Sequence, residues 1–537
     1  MPIPASATLG MQTSTTPLIS SAASGMAYVT ILFVLALGFV VCWALVPLIQ
    51  RLSGARRNEF HHTHQTPVSR FGGVALVAAF AAVAGAAFVV APQTVTNWNT
   101  RLLIVLSSLA MFGLGFWDDL RPLGARKKLL GQIAIASLVY LGGIQIEMFK
   151  NPFTSSDVFL GSLGFLATVA WLVTLTNLIN MVDGIDGLAG GISLMLMCLL
   201  ATVGMGAQSG FTMLLSVGMA GALLGFLSYN KPPARIYMGD GGAYFLGFLI
   251  GILSIVNSHK GSVTAALIAP LFALALPIVD VTLAVLRRGL KGLPLFRADR
   301  KHIHHRLIDF GFSRGRTVLI LYVISFLCLF LAFSAFWSQG RLVPLLLGFL
   351  FLALSIAAHS FGFLKDWLAL ASPAGRSLRF RKETRYALTL GQWLEMEAER
   401  RGCVFELWQD YQFVVRKLGF AEVQLALPDG VHVWRAVGPE TGLTRLLRTR
   451  HTLGGKSSVE FAAYEDVLPE ALFELLSELA AEAWQKAALR WQEFHQAPVC
   501  FESVSSDTSH FRKKVRLYEA VRPAWWLPKR GLRPEST

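Results

Sequence analysis

An all-α polytopic membrane protein of about 11 transmembrane helices, followed by a C-terminal soluble α+β domain, is the fold class this sequence predicts. Three observations carry that reading. Hydrophobic residues make up 54% of the chain and charged residues only 15%, with a mean hydropathy of +0.52, far from a soluble average. Apolar runs long enough to cross a bilayer recur from residue 26 to residue 362. Beyond residue 362 the pattern stops, and charged residues with Trp and Leu at helical spacing take over.

Residues 1–25 are rich in Ser, Thr, Ala and Pro without Lys or Arg, so they lack the basic region of a cleaved signal and read as a disordered tail. A transmembrane domain is expected over 26–365, with spans at 26–50, 71–91, 101–117, 131–148, 160–180, 188–206, 210–228, 241–257, 263–286, 317–337 and 342–362. The C-terminal domain covers 366–537. In it a helical stretch at 383–418 precedes strands at Glu422 to Leu427 and Val431 to Val437, joined by a turn at Pro428-Asp429-Gly430. A further strand at Ser457 to Tyr464 and an amphipathic helix over 468–495 complete it.

The formal charge of the 537-residue chain is +15, but it does not point to nucleic acid. Lys and Arg of a polytopic protein gather in cytoplasmic loops beside anionic lipid. With the N-terminus outside, the loops of Arg51, Arg56, Arg57 and Arg70, of Arg121, Arg126, Lys127 and Lys128, of Lys231 and Arg235, and from Arg287 to Arg316 all fall on the cytoplasmic face. The opposite loops hold scattered charges such as Lys150, Lys260 and Arg341. The expected location is therefore the inner (plasma) membrane, multi-pass, with the C-terminal domain cytoplasmic. Cys42, Cys198, Cys328, Cys403 and Cys500 lie far apart and form no C-x-x-C pair.

The unusual polar groups share that same face: Asp118-Asp119, Asn177 to Asp186, Asn230 to Asp240, and His302 to His305. Accidental polar residues would scatter over both faces. Clustered acids and amides beside Lys and Arg are what magnesium and a pyrophosphate need, because hard oxygens hold the metal and cations hold the phosphates. Each group also has a bland reading. Asp118-Asp119 can be solvated interface charge, although neighbouring carboxylates raise one another's proton affinity and can serve as a base or bind a cation. Asp240 can be the N-cap of the helix from 241, and the Gly72-Gly73 pair can simply relax a helix start. His302, His304 and His305 can form a zinc site, but only Asp299 stands near to complete it, and anion binding beside Arg300 suits them better.

Taken in order, these blocks closely resemble the polyprenyl-phosphate N-acetylhexosamine-1-phosphate transferase superfamily. The pattern is HQTPVSRFGG at 64–73, FWDDLRPLGARKKLLGQ at 116–132, NLINMVDGIDGLAGG at 177–191, NKPPARIYMGDGGAYFLG at 230–247, and PIVDVTLAVLRRGLKGLPLFRADRKHIHHRL at 277–307. The His-x-His-His loop resembles the GlcNAc-1-phosphate branch rather than the muramyl-pentapeptide branch. The resemblance implies transfer of a sugar 1-phosphate from a UDP-N-acetylhexosamine to a polyprenyl (undecaprenyl) phosphate, leaving UMP, with Mg2+ or Mn2+ as cofactor. It implies that Asp118 and Asp119 deprotonate or orient the lipid phosphate and that Asp240 binds the metal together with Asp183. It further implies that Asn180, Asp183 and Asp186 hold the nucleotide, that Lys128 contacts phosphate, and that His302, His304 and His305 contact the sugar nucleotide. Substrate contacts are expected also at His64, Asn177, Asn230 and Arg300. Gly242-Ala243 departs from a common Gly-Ser, losing a hydroxyl but no carboxylate. A homodimer is left open.

The C-terminal domain is similar in element order to a GAF-type regulatory module, the alternative being a docking or stabilising domain without a ligand. Two other function classes, a transporter and a membrane-anchored sensor whose C-terminal domain is the active part, fit the sequence less well. A transporter would place polar residues deep in several helices or show matching broken segments in two halves, and a membrane-anchored sensor would not need five polar blocks on one face.

Overall fold

The computed structural model describes residues 17–53, 68–91, 96–150, 157–258, 311–337, 374–436, 445–454 and 457–496, with isolated positions between 270 and 307 and at 348 and 499. The chain divides into two compact units, residues 1–372 and 373–537.

The first unit is helical: α1 (Pro17–Ser53), α2 (Gly72–Val90), α3 (Trp98–Leu120), α4 (Ala125–Leu141), α5 (Leu163–Val182), α6 (Leu188–Gly206), α7 (Gly210–Asn230), α8 (Gly239–Ser258) and α9 (Arg314–Trp337). A short antiparallel pair, β1 (Met148–Lys150) and β2 (Asp157–Phe159), lies between α4 and α5. Among the described residues, eight helices are long and apolar enough to cross a membrane, all in this unit. α4, with 17 residues, is not one of them. The expected run over 131–148 is cut short where the chain turns at Gly142 and Gly143, the latter at φ +90°. α1 begins at Pro17, inside the stretch expected to be a tail. The expected spans at 263–286 and 342–362 lie largely outside the described residues.

α8 is the hub: every residue from Gly241 to Ser258 is buried, and α2, α3, α5 and α6 pack around it. Small residues set the close approaches, since lipid gives helices no hydrophobic drive to associate and favours tight van der Waals contact. A Cβ on Gly38 of α1 would overlap the Gly218 carbonyl of α7, and one on Gly247 of α8 would meet the Leu175 carbonyl of α5 at 2.5 Å. Tyr28, Val29, Leu32 and Phe33 of α1 and Leu319, Val323, Phe326, Leu327 and Phe330 of α9 face outward. Apolar faces of that extent suit hydrocarbon, not water. The chain is a multi-pass membrane protein.

The second unit consists of α10 (Ala374–Ala398), α11 (Val404–Lys417), a sheet of β3 (Glu422–Leu427), β4 (Gly430–Arg435), β5 (Leu446–Gly454) and β6 (Ser457–Tyr464), and α12 (Glu470–His495). The sheet is antiparallel throughout, in the order β4-β3-β6-β5. α12 packs against α10 and β5, around buried Trp408, Tyr411, Phe461, Phe473 and Trp484. The helix expected over 383–418 is two helices, interrupted around Gly402. β5 was not expected, because its inward positions Thr449 and His451 break the apolar alternation that betrays a strand. His451 is accommodated by a 3.0 Å hydrogen bond between its Nε2 and Ser477 Oγ of α12.

Candidate active site

The polar blocks converge on one end of the helical unit, where α3, α5 and α7 finish and α2, α4, α6, α8 and α9 begin. Residues 69–73 run beside 236–238 like paired strands. Tyr237 N–H donates to Ser69 O at 2.8 Å, and Gly72 and Gly73 N–H donate to Tyr237 O and Met238 O, each at 2.9 Å. A Cβ on Gly73 would meet Gly242 N at 2.5 Å. The glycine pair therefore lets the start of α2 lie directly on the start of α8, beyond merely relaxing a helix entry.

The adjacent acids at the end of α3 have different partners. Asp119 accepts the backbone N–H of Asp240 on one oxygen and of Gly241 on the other, each at 2.9 Å. It caps the N-terminus of α8, whose first amides have no acceptor inside the helix. Asp118 accepts Leu123 N–H at 2.6 Å and pairs with Lys128. Lys128, on the first turn of α4, also donates to Asp240 at 3.0 Å, so one ammonium bridges two carboxylates. Asp240 is the more open of those two, with 30% of its side chain exposed against 9% for Asp118. One turn beyond Lys128, Gln132 exchanges hydrogen bonds with Asn177 of α5, Asn177 Nδ2 donating at 2.6 Å and Gln132 Nε2 donating at 3.4 Å.

Asp183 follows the last residue of α5, and Gly187 at φ +82° turns the chain into α6. Asn230 ties this loop to the next, accepting Gly187 N–H at 3.0 Å and donating to Ile236 O at 2.8 Å. Asp186 accepts Ala234 N–H at 3.0 Å. From α9, Tyr322 donates its hydroxyl to Gly187 O at 2.6 Å, a contact hidden in the sequence inside an apolar run. Asn180 gives its carbonyl to Asp183 N–H, and no described contact assigns its side chain. His64, Arg300, His302, His304 and His305 lie outside the described residues.

Asp183 has no side-chain hydrogen-bond or ion-pair partner among the described residues. Burial, and then the carboxylates of Asp240, Asp119 and Asp186, raise its pKa well above the ordinary carboxylate range. Burial, followed by Asp186, pushes the Tyr237 phenol up to about 12, so it stays protonated. Among the described residues no three of His, Cys, Asp and Glu group into a ready metal cage. That donor set still suits magnesium, which characteristically takes one or two carboxylates and completes its shell with water and substrate phosphate. Asp183, half-buried among acids, and the partly open Asp240 are the two oxygen donors that fit.

Fold and site define a membrane-embedded protein with an acidic, lysine-bridged centre at one helical end, a class suited to anionic substrates. The glycosyl transferase family 4 profile matches residues 101–258, which includes the whole Asp118-to-Asp240 cluster. A probable undecaprenyl-phosphate N-acetylglucosaminyl 1-phosphate transferase of Bacillus subtilis is 30% identical over 288 residues, 53% of this chain and 78% of that protein. A decaprenyl-phosphate N-acetylglucosaminephosphotransferase of Mycobacterium tuberculosis is 30% identical over 56% of this chain and 80% of its own length. A phospho-N-acetylmuramoyl-pentapeptide-transferase of a Thermoanaerobacter strain is 27% identical over 51% of this chain and 85% of its own. The chain belongs to the polyprenyl-phosphate N-acetylhexosamine-1-phosphate transferases of glycosyl transferase family 4, and is a phosphotransferase.

Proposed function

We propose that this enzyme moves N-acetylhexosamine 1-phosphate, in the first instance GlcNAc 1-phosphate, from a UDP-sugar to undecaprenyl phosphate. The products are a polyprenyl-diphosphate sugar for cell-envelope glycan synthesis, and UMP. The GlcNAc reading is supported by the names of the relatives at 30% identity and by the His-x-His-His block. The observation that carries the reaction class is Lys128 held between Asp118 and Asp240, with Asp183 close by and lacking a described partner.

Two anions must meet for the reaction to occur, the lipid phosphate and the diphosphate of the donor. A magnesium ion, or manganese in its place, held by Asp183 and Asp240 would neutralise diphosphate charge as a Lewis acid. Lys128 can offer its ammonium to a phosphate oxygen on the same side. A phosphate monoester with a second pKa near ~6 is largely ionised at neutral pH, so the acceptor does not require a strong base. On this reading Asp118 orients Lys128 and Asp119 fixes the start of α8, so the acidic pair positions groups more than it abstracts protons. Asn177, Asn180, Asp186 and Asn230 shape the nucleotide side, together with His64, Arg300, His302, His304 and His305. In-line attack by a lipid phosphate oxygen on the sugar-bearing phosphorus forms the new P–O bond while the bond from that phosphorus to the bridging oxygen breaks, and UMP leaves with that oxygen.

The reading further has the enzyme in the inner membrane with about 11 spans, its site and C-terminal unit cytoplasmic, supported by the bias of Lys and Arg toward the site-end loops. The second unit is read as a soluble regulatory or docking domain. The test is transfer from radiolabelled UDP-GlcNAc to undecaprenyl phosphate in detergent with magnesium. Lipid-linked label and UMP from the intact chain, lost in Asp240→Asn, support the proposal. Absence of product with every UDP-N-acetylhexosamine tried overturns it.

A further inference from the structure

α10 carries its charges against its own dipole. Residues 376–385 contain Arg376, Arg379, Arg381, Lys382 and Arg385 with Glu383 as their one acid, whereas residues 395–399 contain Glu395, Glu397 and Glu399 and no base. The first turn has no acid and the last turn no base. A helix prefers the reverse, because its N-terminus is electropositive and its C-terminus electronegative. The arrangement disfavours the isolated helix; at its acidic end Arg400 and Arg401, just past the helix, pair with Glu397, and Arg490 pairs with Glu399, which leaves the basic end to be offset.

Among the described residues, no side chain of this unit is the partner of that basic end. Arg381, Lys382 and Arg385 are exposed and have no acidic partner among the described residues, and Tyr386 beside them is 43% exposed. Several arginines elsewhere in the unit are matched: Arg401 with Asp410, Arg435 and Arg448 with Glu422, and Arg490 with Glu399. The opposite side of α10 is satisfied, with Thr384, Ala387, Leu394 and Ala398 buried where the helix packs on α11 and α12.

Chain position supplies a candidate of the right charge. The last apolar run of the sequence ends at residue 362, and residues 363–373 reach at most ~40 Å when fully extended. In chain order the basic end of α10 is therefore the end nearer the last apolar run, within reach of a bilayer. Anionic lipid headgroups attract clustered Lys and Arg within about one Debye length, roughly 8 Å at physiological salt. A tyrosine on the same face fits the headgroup layer.

We propose that the exposed basic face of α10 rests on the anionic phospholipid headgroups of the bilayer, docking the second unit on the membrane surface. The test is hydrogen exchange of the full chain in nanodiscs of pure phosphatidylcholine, in nanodiscs containing phosphatidylglycerol, and in detergent. Amides of residues 380–389 should exchange about tenfold more slowly in the anionic discs, and the protection should vanish at 1 M salt, where the Debye length falls to roughly 3 Å. The triple variant Arg381→Glu, Lys382→Glu, Arg385→Glu should lose the difference while α12 keeps its own protection, which reports an intact unit. Equal protection in neutral and anionic discs, or in detergent, would mean that the chain itself covers this face and would overturn the proposal. A difference that survives charge reversal would do so as well.

Discussion

Asp119 holds Asp240 by its backbone: the carboxylate at the end of α3 accepts the Asp240 N–H at 2.9 Å and the neighbouring Gly241 N–H on its other oxygen. Asp240, more open than Asp118, is thus aimed from a helix terminus that is capped by a different helix. Gly239, at φ +75°, makes the turn possible, and a Cβ there would overlap Arg70 O. Two acids adjacent in sequence have separate tasks, one gripping backbone and the other Lys128.

Asp119→Ala leaves two amide donors without that acceptor, at about 1–3 kcal/mol for each group left unsatisfied. The variant should unfold at lower temperature in detergent and lose most of its activity. Asp119→Asn keeps one acceptor oxygen and should recover part of both, with an unaltered pH profile. A profile that loses an acidic limb in Asp119→Asn would instead assign Asp119 a proton-transfer role.

Lys128 competes with any cation for Asp240. Lys128→Gln should slow turnover by about 10²-fold or more, as removal of a preorganised charge next to a reacting phosphate does. Half-saturation by magnesium should move to lower concentration, because Asp240 loses its ammonium partner. A magnesium titration of initial rates separates the two effects. A shift to higher magnesium would show that the lysine supports the metal site rather than opposing it.

The sequence revealed much of this centre because acids and amides at membrane helix ends are costly and stand out. Asp118, Asp119, Lys128, Asn177, Asp183, Asp186, Asn230 and Asp240 do meet at one end of the bundle. What it concealed is geometry between distant segments. That Gly73 seats α2 against Gly242, or that Asp119 caps a helix beginning 120 residues later, depends on tertiary contact and leaves no periodic trace. Tyr322 was invisible for another reason: in an apolar run an aromatic residue reads as lipid-facing filler. β5 was missed because its inward positions are filled by Thr449 and His451.

Tyr322→Phe removes one hydroxyl from the link between α9 and the Gly187 turn while keeping the ring that lies on Gly191. A single neutral hydrogen bond is worth about 1 kcal/mol, so the KM for the sugar nucleotide should rise roughly fivefold with kcat little changed. The KM for the lipid acceptor should stay constant, since the turn belongs to the Asp183–Asp186 loop. Steady-state kinetics with each substrate varied in turn checks this. Equal changes in both KM values would mean general loosening rather than a local effect.

Gly113 and Gly115 make an internal pair on α3 for testing whether the close approach at Asp240 matters. A Cβ at Gly113 meets nothing within 4 Å, whereas one at Gly115 meets Asp240 O at 2.5 Å and the Gly241 backbone just beyond. In helix propensity the two Gly→Ala changes are alike, each favouring the helix by up to about 1 kcal/mol. Gly113→Ala should therefore match or slightly exceed the native thermal stability and keep full activity. Gly115→Ala must push α3 from α8 at the capped turn, against backbone atoms that have no side-chain freedom to yield. It should lose stability and, because Asp119 then no longer meets the Asp240 and Gly241 amides at hydrogen-bonding distance, lose activity more than ~10-fold. Thermal unfolding and initial rates measured on both variants in one detergent decide it, and equal behaviour of the two would remove the argument that this contact aims Asp240.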